Sequence, residues 1–358
     1  MYMQQYNSSI SAEQIRDQSL ALGYAKCGIV GIDAVADYAD RLDERIAAVP
    51  RGRLQFGKFR RFARPGKGHP WAKSIIVLVS PYSGYNVPKE LRGMYAKTYL
   101  FDPRLDEHSE EFKRRRRFMK FLDEIGIRHV GEEKFGITAL RWAAQKAGLG
   151  TIRHNNFFYT PEHGSYVSLD AFLIDLKLEW IEKDESKPCP PNCGKCIEGC
   201  PSRSLNAPYT MSLVQCVSFQ TSLSSGMPCM GVPSETMVEQ IGGRLYGCDV
   251  CQDVCPFNKG KMTGGTDFPG LAELAPLLKP EKIMAMSYDE IARSLCPKFW
   301  YIDKKNLWKW KLNALTVMRN NYRPEYEAAI KLGLCDQYVK VRRFAKKTCE
   351  QLKIKRDS

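Results

Sequence analysis

The chain has 358 residues, of which 44% are hydrophobic and 26% are charged, and its formal net charge is +14. This composition is that of an ordinary globular protein with two or three domains, and it excludes a fibrous or low-complexity chain. The sequence contains no run of about 18 apolar residues and no export signal at its start, so we expect a cytoplasmic protein without a membrane span.

The first half of the chain alternates between helix and strand patterns. The predicted elements, in chain order, are a helix at 12–23, strands at 27–32 and 74–80, helices at 110–125 and 137–147, and a strand at 171–176. Pro81 ends the second strand, and Gly148 and Gly150 are capping signals after the last helix. The pattern predicts an α/β domain over residues 1–181. It contains no glycine-rich motif for a nucleotide.

Basic residues are concentrated in three segments. Residues 301–358 contain 15 Lys and Arg against 6 Asp and Glu, residues 51–73 contain eight basic residues and no acidic one, and residues 113–117 read Lys-Arg-Arg-Arg-Arg. Charge runs are usually solvated surface, but three runs in one chain also favour a polyanionic partner. Both interpretations stay open, and the C-terminal segment is the better candidate for nucleic acid.

Seven of the 13 cysteines form two runs that end in Cys-Pro. The first run is Cys189-x3-Cys193-x2-Cys196-x3-Cys200, and the second is Cys248-x2-Cys251-x3-Cys255. The pattern C-x2-C-x3-C-P is typical of proteins with two [4Fe-4S] clusters, in which the last Cys of each run binds the other cluster. Zinc is the alternative, but zinc sites usually present two separated pairs of ligands.

The spacing predicts that each cluster takes cysteines from both runs, an arrangement called crosswise here. One cluster takes Cys189, Cys193, Cys196 and Cys255, and the other takes Cys200, Cys248 and Cys251. Cys189 lies one residue further from Cys193 than usual but is the nearest candidate, and Cys216 and Cys229 compete for the last place. The remaining cysteines lie on apolar faces and are predicted to be buried core thiols: Cys27, Cys296, Cys335 and Cys349.

From Tyr288 onward the pattern is helical. Two apolar faces, separated by Arg323-Pro324, are formed by Trp308, Leu312, Leu315 and Met318, and by Val341, Phe344, Ala345, Cys349 and Leu352. Helix pairs of this kind predict short HEAT-like repeats, whose basic face can lie along nucleic acid. With the charged, Pro-rich stretch 182–191 as a linker, the predicted domains are 1–181, 182–262 and 263–358.

The order of these domains resembles the epoxyqueuosine reductases and the catalytic core of the reductive dehalogenases, which are cobalamin-dependent iron–sulfur enzymes. The resemblance is carried by the segments 147–150 (AGLG), 164–166 (GSY), 193–201 (CGKCIEGCP), 216–219 (CVSF) and 247–258 (GCDVCQDVCPFN). It implies an α+β chain with an N-terminal α/β cobalamin-binding domain, a bacterial ferredoxin-like two-[4Fe-4S] domain and C-terminal HEAT-like repeats. It also favours Cys216 as the eighth cluster ligand.

The resemblance further implies an oxidoreductase with base-off cobalamin. A low-potential donor such as ferredoxin or flavodoxin reduces the clusters, and the clusters reduce cobalt, which reduces an organic substrate. Four functions stay open. They are a reductase of this family with altered chemistry, a true epoxyqueuosine reductase that binds tRNA through the basic C-terminal repeats, a soluble reductive dehalogenase, and an electron carrier without its own substrate.

The site residues are assigned from the same resemblance. The residues implied to bind cobalamin are Arg153, His154, Asn155, Asn156, Gly164, Ser165 and Tyr166. The candidate catalytic residues are Lys134, which stands where the family usually has an Asp proton donor, His154 and Tyr166. The chain departs from the family after Gly150, where it keeps only the Ile and the first Asn of the usual Trp-Ile-Gly-Lys-Asn-Thr. The plainer alternatives are a surface lysine, a structural histidine, turn asparagines and a packed tyrosine.

Overall fold

The structure, a computed structural model, describes residues 10–101, 107–131, 136–222 and 231–355. Within these ranges the strands β1 to β8, in chain order, are Lys26–Gly31, Ser74–Pro81, His129–Gly131, Thr151–Ile152, Phe158–Tyr159, Val167–Ile174, Leu205–Ala207 and Thr210–Met211. One sheet has the order β1-β2-β6-β3, and two small hairpins pair β4 with β5 and β7 with β8. Every pairing between these strands is antiparallel. The three predicted strands are confirmed, and their direction, which an alternation of helix and strand does not specify, is now known.

Among the described residues the helices α1 to α16, in chain order, are Ala12–Ala21, Tyr38–Ala48, Arg53–Lys58, Lys97–Leu100, Glu110–Glu124, Leu140–Lys146, Lys195–Glu198, Val217–Thr221, Glu235–Ile241, Val250–Asp253, Leu271–Leu274, Pro280–Ala285, Tyr288–Ser294, Trp308–Asn320, Glu327–Leu332 and Val339–Leu352. The predicted helices correspond to α1, α5 and α6. Ser11 and Ser109 cap the N-termini of α1 and α5 with their hydroxyl groups. None of these helices is long and apolar enough to span a membrane.

Side chains of the central strand β2 point alternately to two hydrophobic clusters. Ile75, Val77 and Val79 pack on one face with residues of α6, and Ile76 and Leu78 pack on the other with residues of α1 and α5. Because helices cover both faces, the strand is buried on both sides and its sequence is a continuous apolar run.

The C-terminal helices share one hydrophobic cluster with earlier parts of the chain. The cluster contains Leu315 of α14 and Phe344 of α16, and it extends to Tyr82 after β2 and to Tyr246 before the second cysteine run. The two apolar faces predicted from the sequence are buried here. The core is thus continuous across the predicted boundaries at residues 181 and 262, and the HEAT-like repeat architecture stays a prediction.

The cysteines outside the two runs are placed largely as predicted. Cys27, Cys296 and Cys349 are buried, but Cys335 is exposed. It ends the tight turn Gly333–Cys335 that follows α15, so it does not share that helix's buried face. The prediction of a buried thiol was wrong at this position.

Candidate functional site

The two Cys-Pro runs fold into turns of the same shape. Helix α7 begins after Gly194 (φ −104°, ψ 0°) and helix α10 after Asp249 (φ −108°, ψ 0°). The amides of Gly199 and Val254 end these helices with bonds of 2.9 Å and 3.0 Å to the carbonyl four residues earlier. The sequence repeat is therefore also a structural repeat, and α7 and α10 lie in contact with each other.

The first group of thiols contains cysteines from both runs. Burial raises the pKa of the Cys196 thiol to about 11, and the nearby thiols of Cys189, Cys255 and Cys193 act in the same direction. Cys255 belongs to the second run, so its thiol lies with those of the first. Thiols crowded in this way lose their protons readily only when a positive charge or a metal stabilises the thiolates.

The second group of thiols consists of Cys200, Cys216, Cys248 and Cys251. Burial raises the pKa of Cys251 well above its usual value, and the other three thiols contribute to the increase. Burial also raises the pKa of Cys216, to which the Cys200 thiol adds. Cys216 thus lies with the second group of thiols, whereas its competitor Cys229 lies outside the described residues, so the choice between them stays a prediction.

The two groups of thiols do not form a site for a single metal ion among the described residues. Within the part of the chain that the structure describes, no three His, Cys, Asp or Glu side chains are close enough to bind a single ion. A [4Fe-4S] cube takes four thiolates, one at each iron, around a larger core. Two groups of four thiols each have the donor chemistry that two such cubes need.

Arg153 is buried against the first group of thiols. Its Nη1 is 3.9 Å from the Sγ of Cys189, and its Nη2 donates to the carbonyl of Lys187 at 2.5 Å. The guanidinium lies 3.3 Å from the centre of the Phe257 ring. A positive charge therefore lies beside the sulfur of Cys189.

His154 and Asn155 follow Arg153 in the loop between β4 and β5, and both contact the cysteine runs. His154 Nδ1 lies 3.0 Å from the carbonyl oxygen of Cys193, and Asn155 Nδ2 donates to the carbonyl of Cys251 at 3.0 Å. Asn155 Nδ2 also donates to the hydroxyl of Tyr159 at 2.8 Å. Burial raises the pKa of Tyr159, and so does its contact with the thiol of Cys255. One loop therefore contacts residues of both runs.

Gly164 and Ser165 make a second contact with residues 189–258, the part of the chain that contains the two runs, called here the cysteine segment. Gly164 has φ 57°, and a Cβ there would lie 2.2 Å from Asn258 Oδ1, so only glycine fits. The Ser165 amide donates to Asn258 Oδ1 at 2.8 Å, and the Ser165 hydroxyl donates to Gln252 Oε1 at 2.8 Å. The segments 164–166 and 247–258, which the sequence marks separately, are thus joined in space.

Lys97, which belongs to no sequence motif, forms ion pairs beside the second run. Its ammonium bonds Asp249 at 3.1 Å and Asp253 at 2.8 Å. The hydroxyl of Tyr166 donates to Asp253 at 3.4 Å, and burial raises the pKa of Tyr166 to about 12. Sequence reasoning missed Lys97 because its role depends on residues about 150 positions away. The two aspartates lie within a motif that it did single out.

Four of the residues predicted to bind cobalamin are engaged with other protein groups in this arrangement. The side chains of His154, Asn155, Ser165 and Tyr166 are at least 94% buried and bond to protein groups. Asn156 forms a turn with φ 65°, and its Nδ2 is buried without a partner among the described residues. These residues join the cysteine segment to the part of the chain that forms the four-stranded sheet and its helices, the described residues from 10 to 181, called here the sheet domain. Lys134 lies outside the described residues, so its predicted role stays a prediction.

Comparison with known families supports iron–sulfur clusters. The family described as a 4Fe-4S double cluster binding domain matches residues 189–258. This stretch contains all eight cysteines of the two groups.

Comparison with curated proteins gives relatives over most of the chain. The chain is 29% identical to the epoxyqueuosine reductase of Bacillus subtilis over 78% of this chain and 71% of the relative. It is 26% identical to that of Staphylococcus aureus over 79% and 76%, and 29% identical to that of Gloeobacter violaceus over 74% and 82%. The predicted resemblance to epoxyqueuosine reductases is confirmed.

Solved structures share the fold. A crystal structure of a selenomethionine-labelled epoxyqueuosine reductase matches with a TM-score of 0.75 and 25% identity, covering 95% of this chain and 90% of that one. A crystal structure of epoxyqueuosine reductase with an epoxyqueuosine-modified tRNA-Tyr stem loop matches with a TM-score of 0.74 and 24% identity, covering 97% and 94%. The similarity to these reductases confirms the prediction of an oxidoreductase with a 4Fe-4S domain.

Proposed function

We propose that this chain is an iron–sulfur reductase that removes the epoxide oxygen of an epoxyqueuosine nucleoside in tRNA. The observation that carries the proposal is the sorting of eight thiols into two groups that each contain cysteines of both runs. Similarity to epoxyqueuosine reductases over most of the chain supports the substrate. Of the functions left open by the sequence, the true epoxyqueuosine reductase has the best support.

We assign Cys189, Cys193, Cys196 and Cys255 to one [4Fe-4S] cluster, and Cys200, Cys216, Cys248 and Cys251 to the other. When bound, the two clusters would supply transfer of single electrons. The protein groups around them set their electrostatic environment, since Arg153 places a positive charge at Cys189 and Tyr159 interacts with Cys255. Charges and hydrogen bonds at the sulfurs set the reduction potential of such clusters.

Conversion of an epoxide to an alkene consumes two electrons and two protons and releases one water molecule. Two clusters that each transfer one electron match this demand. The electrons come from a low-potential protein such as ferredoxin or flavodoxin, and we place the reaction in the cytoplasm, where clustered cysteines more often bind metals than form disulfides. This stoichiometry requires a proton donor near the substrate.

Lys134 is the best remaining candidate for that donor. The hydroxyl of Tyr166 is buried with a pKa of about 12, too high for efficient acid catalysis at neutral pH. His154 is buried with Nδ1 at the Cys193 carbonyl, which fits a structural role. Setting these two aside leaves Lys134 of the three candidates from the sequence.

Cobalamin stays a prediction of the family resemblance. The residues predicted to hold it are engaged at the contact with the cysteine segment. A titration of the cluster-loaded protein with cobalamin tests the prediction directly, because a saturable change in the corrin spectrum supports binding and an unchanged spectrum excludes it.

The proposed reaction is tested with tRNA that carries epoxyqueuosine. Cluster-loaded protein, a low-potential reductant and this tRNA are incubated without oxygen, with and without cobalamin, and the nucleosides are analysed by mass spectrometry. We expect loss of one oxygen atom from the modified nucleoside. Absence of conversion by fully loaded protein, under conditions where the Bacillus subtilis enzyme is active, would reject the proposal.

A further inference from the structure

A cleft of about 470 Å³ is lined by residues that come before β2 and before α6, and none of the eight cysteines of the two groups lines it. Its lining includes one basic segment, called here the basic wall, with Arg60, Arg61, Arg64, Lys67 and His69, and it also includes Gly136 and Ile137. No function described so far uses this cleft. Its walls contain four permanent positive charges and no acidic residue.

The backbone of the basic wall is held in place. Residues Phe59–Ala63 and Pro65–Lys67 form two consecutive tight turns in which Ala63 and Pro65 are buried. The carbonyl of Phe62 accepts the amide of Ala139 at 3.1 Å, which ties this wall to the start of α6. The cationic side chains therefore project from a fixed surface.

The positive charge of residues 51–73, which include the basic wall, is largely not balanced by nearby carboxylates. All eight basic side chains between residues 51 and 73 are exposed, and no acidic residue occurs there. Among the described residues, Asp43 is the carboxylate partner of Arg60, and no carboxylate pairs with the other seven. Arg61 lies over the ring of Phe62 at 4.8 Å. Like charges held together in this way favour a polyanion that neutralises them.

In the C-terminal segment, which the sequence favours for nucleic acid, several of the 15 basic residues are buried or paired with a carboxylate. Lys309 and Lys311 are buried, and Lys311 pairs with Asp336. Arg319 and Lys347 both pair with Glu235, which lies in α9. The excess charge of that segment is therefore smaller at the surface than in the sequence.

We propose that the cleft binds phosphate groups of the substrate RNA, with Arg61, Arg64 and Lys67 as the main contacts. The inference rests on the proposed function for the identity of the nucleic acid. Arginine forks suit phosphate because they donate two parallel hydrogen bonds. Gly136, which also lines the cleft, follows the candidate proton donor Lys134 by two positions in the sequence.

Binding of a fluorescent, unmodified tRNA anticodon stem-loop is measured by anisotropy over a range of salt concentrations, with cluster-loaded protein and no reductant. The test variant combines Arg61→Gln, Arg64→Gln and Lys67→Gln. The control variant combines Arg343→Gln, Lys346→Gln and Lys355→Gln, which removes the same charge from exposed positions of the C-terminal segment. The iron content of each variant checks that it is folded.

We expect the cleft variant to lose about tenfold or more in affinity. The slope of log K against log salt should fall by about two, since each lost phosphate contact removes roughly 0.7 to 0.9. The control should change affinity less than about threefold. An unchanged cleft variant, equal losses in both variants, or displacement of the stem-loop by polyglutamate as readily as by unlabelled RNA would each overturn the inference.

The binding assay tests the cleft and the turnover assay tests the proposed reaction, and a negative result in one does not imply a negative result in the other. If the stem-loop binds through the C-terminal segment, the proposal that the cleft binds RNA is wrong, but the proposed reduction of the epoxide is unaffected. If it binds through the cleft but no epoxide is reduced, the cleft stands and the proposed reaction is wrong.

Discussion

The guanidinium of the buried Arg153 lies 3.9 Å from the sulfur of Cys189. The same guanidinium stacks on Phe257, next to the Cys-Pro end of the second run. A residue that the sequence assigns to a cofactor in the sheet domain thus touches a proposed cluster ligand. The sheet domain therefore supplies part of the electrostatic environment of the cluster.

Removing this charge should change one reduction potential. We expect Arg153→Gln to make one of two potentials more negative by about 60 mV or more, the shift that 1.4 kcal/mol produces for one electron, because a nearby cation favours the reduced, more negative cluster. The measurement is a redox titration followed by electron paramagnetic resonance. Arg128→Gln, which alters an exposed arginine over Trp71, is the control. Equal potentials in Arg153→Gln and wild-type protein would show that Arg153 does not act on the cluster.

The identity of the eighth ligand is tested by single substitutions. We expect Cys216→Ser to retain about four irons per chain instead of about eight, because one cluster loses a thiolate. Cys229→Ser and the exposed Cys335→Ser should retain both clusters. Iron and sulfide analysis after anaerobic reconstitution gives the result. Loss of a cluster in Cys229→Ser with full iron in Cys216→Ser would reverse the assignment.

Asn155 should matter for the stability of the cluster segment. Asn155→Ala removes the hydrogen bonds to Tyr159 and to the Cys251 carbonyl, and we expect a loss of about 1–3 kcal/mol with faster release of iron to a chelator. The exposed Asn206→Ala is the control. If Asn155 instead bound a corrin amide, the variant would keep its stability and iron and lose only affinity for cobalamin.

Lys309 should make stability depend on pH. It is fully buried, its ammonium has no hydrogen-bond partner among the described residues, and burial lowers its pKa to about 7. The unfolded chain keeps this proton up to its usual pKa near 10.5, so between these values the unfolded state binds more protons. The free energy of unfolding should therefore rise with pH, by up to about 1.4 kcal/mol per pH unit.

Urea unfolding at pH 7 and pH 9 measures this effect. Lys309→Met should be more stable than wild-type protein at pH 7, and the difference should shrink at pH 9. A difference that is independent of pH would show that Lys309 is not neutral in the folded chain near pH 9.

The sequence predicts the cysteine chemistry well because it is local. The x2 and x3 spacings determine the turns around Gly194 and Asp249, and the crosswise grouping follows from where each turn sends its last thiol. The main helices and strands of the sheet domain also follow from apolar periodicity. The direction of the strands does not follow from it, because direction depends on the route by which the long connecting segments come back to the sheet.

Roles that depend on distant neighbours are not predictable from this sequence alone. Nothing around Lys97 indicates that it bonds to Asp249 and Asp253. Glu235 forms ion pairs with both Arg319 and Lys347, and a charge count along the chain cannot show this. The residues 153–166 look like a cofactor loop by resemblance, but their partners lie in the cysteine segment.

The crosswise sharing of cysteines is tested most directly by two double variants. Cys193→Ser with Cys255→Ser removes two ligands of the same proposed cluster, and it should retain about four irons per chain in one [4Fe-4S] cluster. Cys248→Ser with Cys255→Ser removes one ligand from each cluster and should retain neither. The opposite result, in which the second variant keeps one intact cluster and the first keeps none, would show that each run binds its own cluster and would contradict the account.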